Sequence, residues 1–235
     1  REALADGPDS IMEICKENSI NPLVLVEDSM TGFVTAHNRC KEAGIDLLFG
    51  LRITCCNNTL EDDDSDHKII IFAKNDEGCR LLYKIYSHAY TGENKKVDFP
   101  FLSSIWNENI ELVIPFYDSF IFNNQLHLKK CVPDFSNILP TFWLEMNDLP
   151  FDFFLAEKVR KFAHSMMRPV KLVKTILYKK REDAEALQTY KILCNRNFGR
   201  AATLSNPNLN HFGSKEFCLE SYLDWKHIEH ERTPA

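Results

Sequence analysis

The sequence predicts an α/β fold in which a largely parallel sheet carries helices on its outside. Three observations lead there. Short apolar runs rich in β-branched residues (Leu23–Val26, Leu47–Ile53, Ile69–Phe72) recur along the first third of the chain, each too short for a helix. Helix-start and helix-stop residues lie between them. The run from His67 to Tyr90 holds a complete βα unit with its turn chemistry intact.

The elements follow in order. Ser10 and Glu13 form a capping box ahead of a first helix whose apolar face is Ile11, Ile14 and Cys15. Asn21-Pro22 ends the next turn, and Leu23–Val26 reads as a buried strand. Ser29 caps a second helix running to Ala43, where Gly44 supplies the stop. Leu47–Ile53 is the next strand. The acidic segment from Asn57 to Asp66 lacks the oxygen spacing and turn glycine of an EF-hand, so it reads as a solvated, mobile loop. After the strand Ile69–Phe72, Asn75 offers an N-cap oxygen, Asp76 and Glu77 suit the helix dipole, and Leu82, Tyr86 and Ala89 are the buried face. Val97 to Trp106 is a short strand-helix piece; Leu112–Phe116 and Phe142–Met146 are strands. Leu155 to Met167 is a helix with Leu155, Val159, Phe162 and Met166 on one face, stopped before Pro169. Val170 and Leu172 suggest another strand, and Glu182 to Cys194 a helix burying Ala186, Leu187, Tyr190, Leu193 and Cys194. The tail to Ala235, richer in Asn, Gly and Pro, is expected to pack over the core as loop. No internal repeat, low-complexity linker or domain boundary interrupts the 235 residues.

Composition narrows the function. An apolar fraction of 44% with 26% charged residues is ordinary for a globular protein. No stretch approaches the roughly 20 apolar residues of a membrane span, and the N-terminus lacks a signal-peptide pattern. A net charge of −6 argues against a chain that holds nucleic acid mainly through its own surface, so DNA is expected to be met only indirectly. The eight cysteines are scattered with no C-x-x-C pair, which reads as buried free thiols in a reducing, cytoplasmic compartment.

The wording from Lys68 to Tyr90 resembles the PHP (polymerase and histidinol phosphatase) domain of the alpha subunit of bacterial, family C, DNA polymerase III. There the pattern "H-L-[ILV]-L-L-A-K-N-x-E-G-Y-x-N-L-x-K-L-x-S-x-A-Y" recurs. Ala43 to Arg52 is similar to that family's "A-G-I-x-P-I-x-G-x-E", Phe142 to Glu145 to "Y-F-L-E", Tyr178 to Ala186 to "Y-L-x-x-E-D-A-x-A", and Lys215 to Ser221 to "D-E-F-Y-L-K-S". The resemblance implies a distorted (β/α)7-type PHP barrel as a single domain over 1–235, with the barrel core in 1–200 and 201–235 extending toward a polymerase region. It also implies a metal site at the strand C-terminal ends, where active members bind up to three metals and hydrolyse phosphate esters.

The ligand positions that the resemblance carries over are depleted. Asp6 retains a ligand type; the Asp-His pair becomes Val26-Glu27; the glutamate of "G-x-E" becomes Arg52; the strand-opening histidine becomes Lys68; the late Asp-x-His spans Thr175 to Leu177. Divalent cations need carboxylate or neutral imidazole ligands. The metal site is therefore expected to be lost, with no catalytic residue and no cofactor. Arg52 and Lys68 are expected either to neutralise Asp6 and Glu27 by ion pairing or to point to solvent. The rival expectation is a surviving phosphoesterase or 3′–5′ exonuclease holding Mn, Zn or Fe near Asp6; a third is a free-standing interaction module.

The resemblance implies a structural role: packing against the rest of the polymerase chain and docking a proofreading exonuclease, in a bacterial or infected-host replisome. The drift at the ligand positions is of the kind a phage copy would show. The family's opening His-x-His would precede Arg1 and its nucleotidyl-transfer carboxylates would follow Ala235, so both ends read as cut from a longer protein. Among other residues, His67 is turned by strand alternation away from the Lys68 face. His227 and His230 read as a solvated tail, and His37 and His88 as helix residues without catalytic work. Lys171, Lys174, Lys179, Lys180 and Arg181 form the densest basic stretch, suited to a phosphate or an acidic partner.

Overall fold

The computed structural model describes residues 10–61, 64–92, 95–194 and 213–232. They form a mixed α/β fold on a seven-stranded sheet. The elements are α1 (Ile11–Glu17), β1 (Leu23–Glu27), α2 (Phe33–Ala43), β2 (Leu47–Cys56), β3 (His67–Ala73), α3 (Asp76–Thr91), β4 (Val97–Asp98), α4 (Phe99–Ile105), β5 (Ile110–Ile114), α5 (Phe120–Leu126), β6 (Thr141–Leu144), α6 (Asp152–Ser165), β7 (Val170–Leu172), a 3₁₀ turn (Arg181–Asp183), α7 (Ala184–Cys194) and α8 (Leu219–Arg232). Strand order is β1-β2-β3-β5-β6-β7, with β4 paired to β2. The chain clusters into two compact units, Arg1–Trp143 with Val159–Lys171 and Leu144–Lys158 with Leu172–Ala235.

In the first unit β1 and β2 are parallel, as are β5 and β6, but β3 runs antiparallel to both β2 and β5. The expectation of a largely parallel run through β2 and β3 is thus corrected. A parallel return needs a crossover, usually a helix, and the described residues between Asn57 and Asp66 form none, so the chain turns back beside β2. That segment is also less free than its acidity suggested: Asn57 donates to the Lys130 carbonyl and accepts from Val132 N–H, Ser65 is buried, and Asp66 pairs with Lys96 at 3.1 Å.

The helix chemistry is local and legible. Asn75 Oδ1 accepts from Gly78 N–H at 2.9 Å, and α3 buries Leu81, Leu82, Ile85 and Ala89, while Tyr86 is half-buried. Ser10 accepts from Glu13 N–H to cap α1, which buries Met12 and, as expected, Cys15, while Ile11 and Ile14 are half-buried. Helix α2 starts later than expected: Ser29 Oγ bonds to Thr31, and Gly32 is the N-cap. Gly44 ends it at φ 67°, the left-handed conformation that glycine adopts without a Cβ penalty. Leu51, Ile69, Ile71, Leu82 and Leu112 form the fully buried centre of this unit, and Met12, Cys15, Cys40 and Ile45 a satellite cluster under α1 and α2.

In the second unit, Leu149, Leu155, Ala184, Phe217 and Leu219 are buried. Two expectations are corrected there. Ala184, not Ala186 or Tyr190, is the buried residue at the start of α7, and Tyr190 is 58% exposed; Leu193 and Cys194 have side chains outside the described set. Leu219–Arg232 of the tail form α8 rather than loop, while residues 195–212, which hold the tail's asparagines, lie outside the described residues. The described cysteines are free thiols, all buried except Cys79. No described helix is long and apolar enough to cross a membrane.

Candidate functional site

The C-terminal ends of parallel strands are where open α/β sheets place their chemistry. In the first unit β1 ends at Glu27 and continues into Asp28, and the loop after β5 carries Asp118 immediately before Ser119, the N-cap of α5. Arg52 and Thr54 stand on β2, and Thr54 is in register with Lys68 on β3. Asp28, Arg52, Thr54, Lys68 and Asp118 converge. Arg52 Nη2 meets Asp118 Oδ2 at 2.5 Å, and Arg52 Nη1 meets Asp28 Oδ1 at 3.5 Å. Lys68 Nζ donates to Thr54 Oγ1 at 2.8 Å, and the Lys68 backbone N–H donates to the Asp118 carbonyl at 2.7 Å. Asp118 takes φ 60°, which tilts its carbonyl to Lys68 while its carboxylate reaches Arg52. Tyr90 Oη donates to the Asp28 carbonyl at 3.4 Å.

Solvent access grades the pairs. Arg52 and Asp118 side chains are 27% and 30% exposed, whereas Asp28 is 63% exposed. Burial pushes the Lys68 ammonium below its usual range, and the Arg52 charge adds to this, while Asp28, Asp118 and Asp66 oppose it. Burial raises the Glu27 carboxyl, with Asp28 adding to the effect.

Residues 4–135 match the PHP domain family, which is more than half of the 235-residue chain. The chain belongs to the PHP domain family. No curated protein matches it.

Within this PHP domain the residues singled out from the sequence fall in different places. Asp6 lies outside the described residues. Val26 is half-buried on β1, and Arg52 and Lys68 are half-buried in the cluster. The expected pairing of Arg52 with Glu27 is corrected: its partners are Asp118 and Asp28, and Glu27 makes no ion pair among the described residues. Alternation explains the exchange. Glu27 is in register with Leu51 and shares its face, so Arg52 and Asp28, one position on in each strand, project to the other side. Asp118 was not anticipated. Its only sequence signal is an aspartate just before a capping serine at a strand end.

The second unit holds the late positions. Thr175 donates through its backbone N–H and Oγ1 to Glu145 at 3.1 Å and 2.8 Å, and Asn147 Nδ2 donates to the same carboxylate at 3.0 Å. Burial pushes the Glu145 carboxyl up despite these donors. Lys174 Nζ donates to the Met146 carbonyl, and Leu177 presents an exposed side chain with its N–H on the Phe217 carbonyl. Two members of the basic stretch are paired within this unit: Arg181 forks onto Glu216 and reaches Asp224 at 2.9 Å, and Lys180 pairs with Glu182, whereas Lys171 belongs to the first unit. In the first unit His67 is 2% exposed; its Nδ1 is on the Ser65 carbonyl, its Nε2 has no partner, and burial lowers its pKa. His37, His88 and His227 are exposed, and His88 stacks on Phe101. The His230 side chain lies outside the described set.

Proposed function

We propose that this PHP domain is a non-catalytic scaffold of a DNA polymerase III alpha subunit, a divergent and phage-type copy, in which an ion-paired cluster stands where active relatives hold metal. The observation that carries the reading is the Arg52 guanidinium between Asp118 and Asp28. A divalent cation needs lone pairs from carboxylate or imidazole; Arg52 and Lys68 offer none and add positive charge, and Arg52 engages the two aspartates that could have served. The residues of this cluster do not fit a metal centre, and no hydrolytic step is assigned to them. The polymerase context is supported by the motifs at Phe142–Glu145, Tyr178–Ala186 and Lys215–Ser221, which continue the resemblance past the matched residues. On this reading the domain packs against the rest of the polymerase chain and docks a proofreading exonuclease.

The test is metal content and phosphodiesterase activity after dialysis against Mn²⁺, Zn²⁺ and Fe²⁺. The wild-type chain is expected to retain no stoichiometric metal and to leave bis(p-nitrophenyl) phosphate intact. Arg52→Glu with Lys68→His, which puts ligand types at both positions, should gain metal. Stoichiometric metal with hydrolysis by the wild type would replace this reading with the phosphoesterase one. A reading frame that continues past Ala235 into polymerase palm sequence supports the polymerase assignment; a stop codon there makes the domain a free-standing module.

A further inference from the structure

The first unit carries a second polar feature that the cluster at the strand ends does not use. The end of α6 and the start of β7 enclose an open concavity of about 460 Å³ lined by Arg160, Lys161, His164, Arg168 and Val170. No carboxylate lines it. Arg160 and His164 are i and i+4 on α6, neighbours on one helix face. Arg160 makes no ion pair among the described residues, and Arg168 uses only its Nε, which donates to the Pro140 carbonyl at 2.9 Å. That bond fixes the plane of the Arg168 guanidinium and leaves its two Nη groups for a ligand. Lys171 lies exposed just beyond, on β7.

We propose that this concave basic face binds the phosphodiester backbone of a single nucleic-acid strand. Two arginine forks suit phosphate oxygens bidentately, and the pinned Arg168 loses little freedom on binding. The residues line an open depression rather than a closed pocket, and an open face bearing several cations suits a chain of successive phosphates better than a single carboxylate. Guanidinium planes and the His164 ring also offer surfaces on which an unpaired base can stack. The net charge of −6 pointed away from direct nucleic-acid contact, but it averages over the whole chain and hides a local cluster of one sign.

Fluorescence anisotropy of the whole chain with a labelled oligothymidylate tests this at about 50 mM and 200 mM salt, a range over which phosphate contacts weaken measurably. Binding should weaken with salt, with a log–log slope of roughly −2 to −3 for three or four neutralised phosphates at about −0.7 each. Arg160→Glu with Lys161→Glu changes two exposed residues; it should weaken binding at least tenfold and flatten the slope by about 1.4. Arg160→Gln with Lys161→Gln, matched to wild type in its urea midpoint, guards against a folding artefact and should weaken binding in the same direction. No binding at the lower salt, or undiminished binding by both double variants, overturns the proposal. Competition by polyglutamate as effective as by oligonucleotide of equal charge also overturns it, and assigns the face to an acidic polypeptide.

Discussion

Asp118→Asn isolates the charge at the centre of the ion-paired cluster. Asparagine adopts the left-handed conformation that Asp118 takes at φ 60°, and the Asp118 carbonyl bond to Lys68 N–H is unaffected, so the backbone needs no adjustment. What is lost is the charged partner of Arg52. Side-chain exposures of 27% and 30% place the pair between two limits. Exposed pairs contribute roughly 0.2–1 kcal/mol, and breaking a buried one costs about 3–5 kcal/mol. Arg52 keeps Asp28, but at 3.5 Å and with that carboxylate 63% exposed, so compensation is small. The expected loss is about 1–2 kcal/mol, which for a urea m-value of about 2 kcal/mol/M moves the midpoint down by roughly 0.5–1 M. Urea melts of wild type, Asp118→Asn, Arg52→Gln and the double variant close a cycle whose coupling energy should be about 1 kcal/mol and should shrink at high salt. Coupling within about 0.3 kcal/mol of zero would refute the claim that these residues act as a pair.

Two further perturbations test other parts of the fold. A Cβ at Gly78 would sit 2.2 Å from the Asn109 carbonyl oxygen and 3.1 Å from Ala73 Cα, both backbone, so Gly78→Ala should cost about 3 kcal/mol in urea unfolding. Gly92→Ala, with its nearest atoms at 3.6 Å, serves as the tolerated control; equal stabilities would sink the packing argument. Glu145 has a folded pKa raised by burial, so the fold holds its proton more tightly than the unfolded chain does. That contribution is present at acid pH and is lost as pH rises from the unfolded value through the folded one. Glu145→Gln, which can still pair with Thr175 and Asn147, should therefore gain stability relative to wild type as pH rises through that window; a difference that is flat with pH, or of opposite sign, is the disproof.

What the sequence revealed was what is decided locally. The β3–α3 unit was legible because Asn75, Asp76, Glu77 and the apolar spacing of α3 all act within a few residues of one another. Strand direction was not, because no residue in Ile69–Phe72 encodes which way its neighbours run. Helix α5 was missed because Phe120, Ile121, Phe122 and Asn123 are all buried and leave no polar face to set a period. Arg52 was recognised as a cation in a ligand position, but its partner lies 66 residues away, in a turn where an aspartate looks like ordinary loop chemistry. Choosing Asp28 over Glu27 required the β1–β2 register, which only the folded sheet defines.

The isoleucine run of β3 gives the cluster a further consequence. Ile69, Ile70 and Ile71 are all buried, so the strand is apolar on both faces, and a slide of one residue would leave nearly as much hydrophobic surface covered. Hydrophobicity alone therefore says little about which side each residue takes. The polar groups break the tie: Lys68 joins Thr54 by its ammonium and Asp118 by its amide, and a slide would forfeit both bonds and turn a charged side chain to the opposite face. The cluster thus acts as a register lock, deciding whether a lysine or a histidine faces the strand ends.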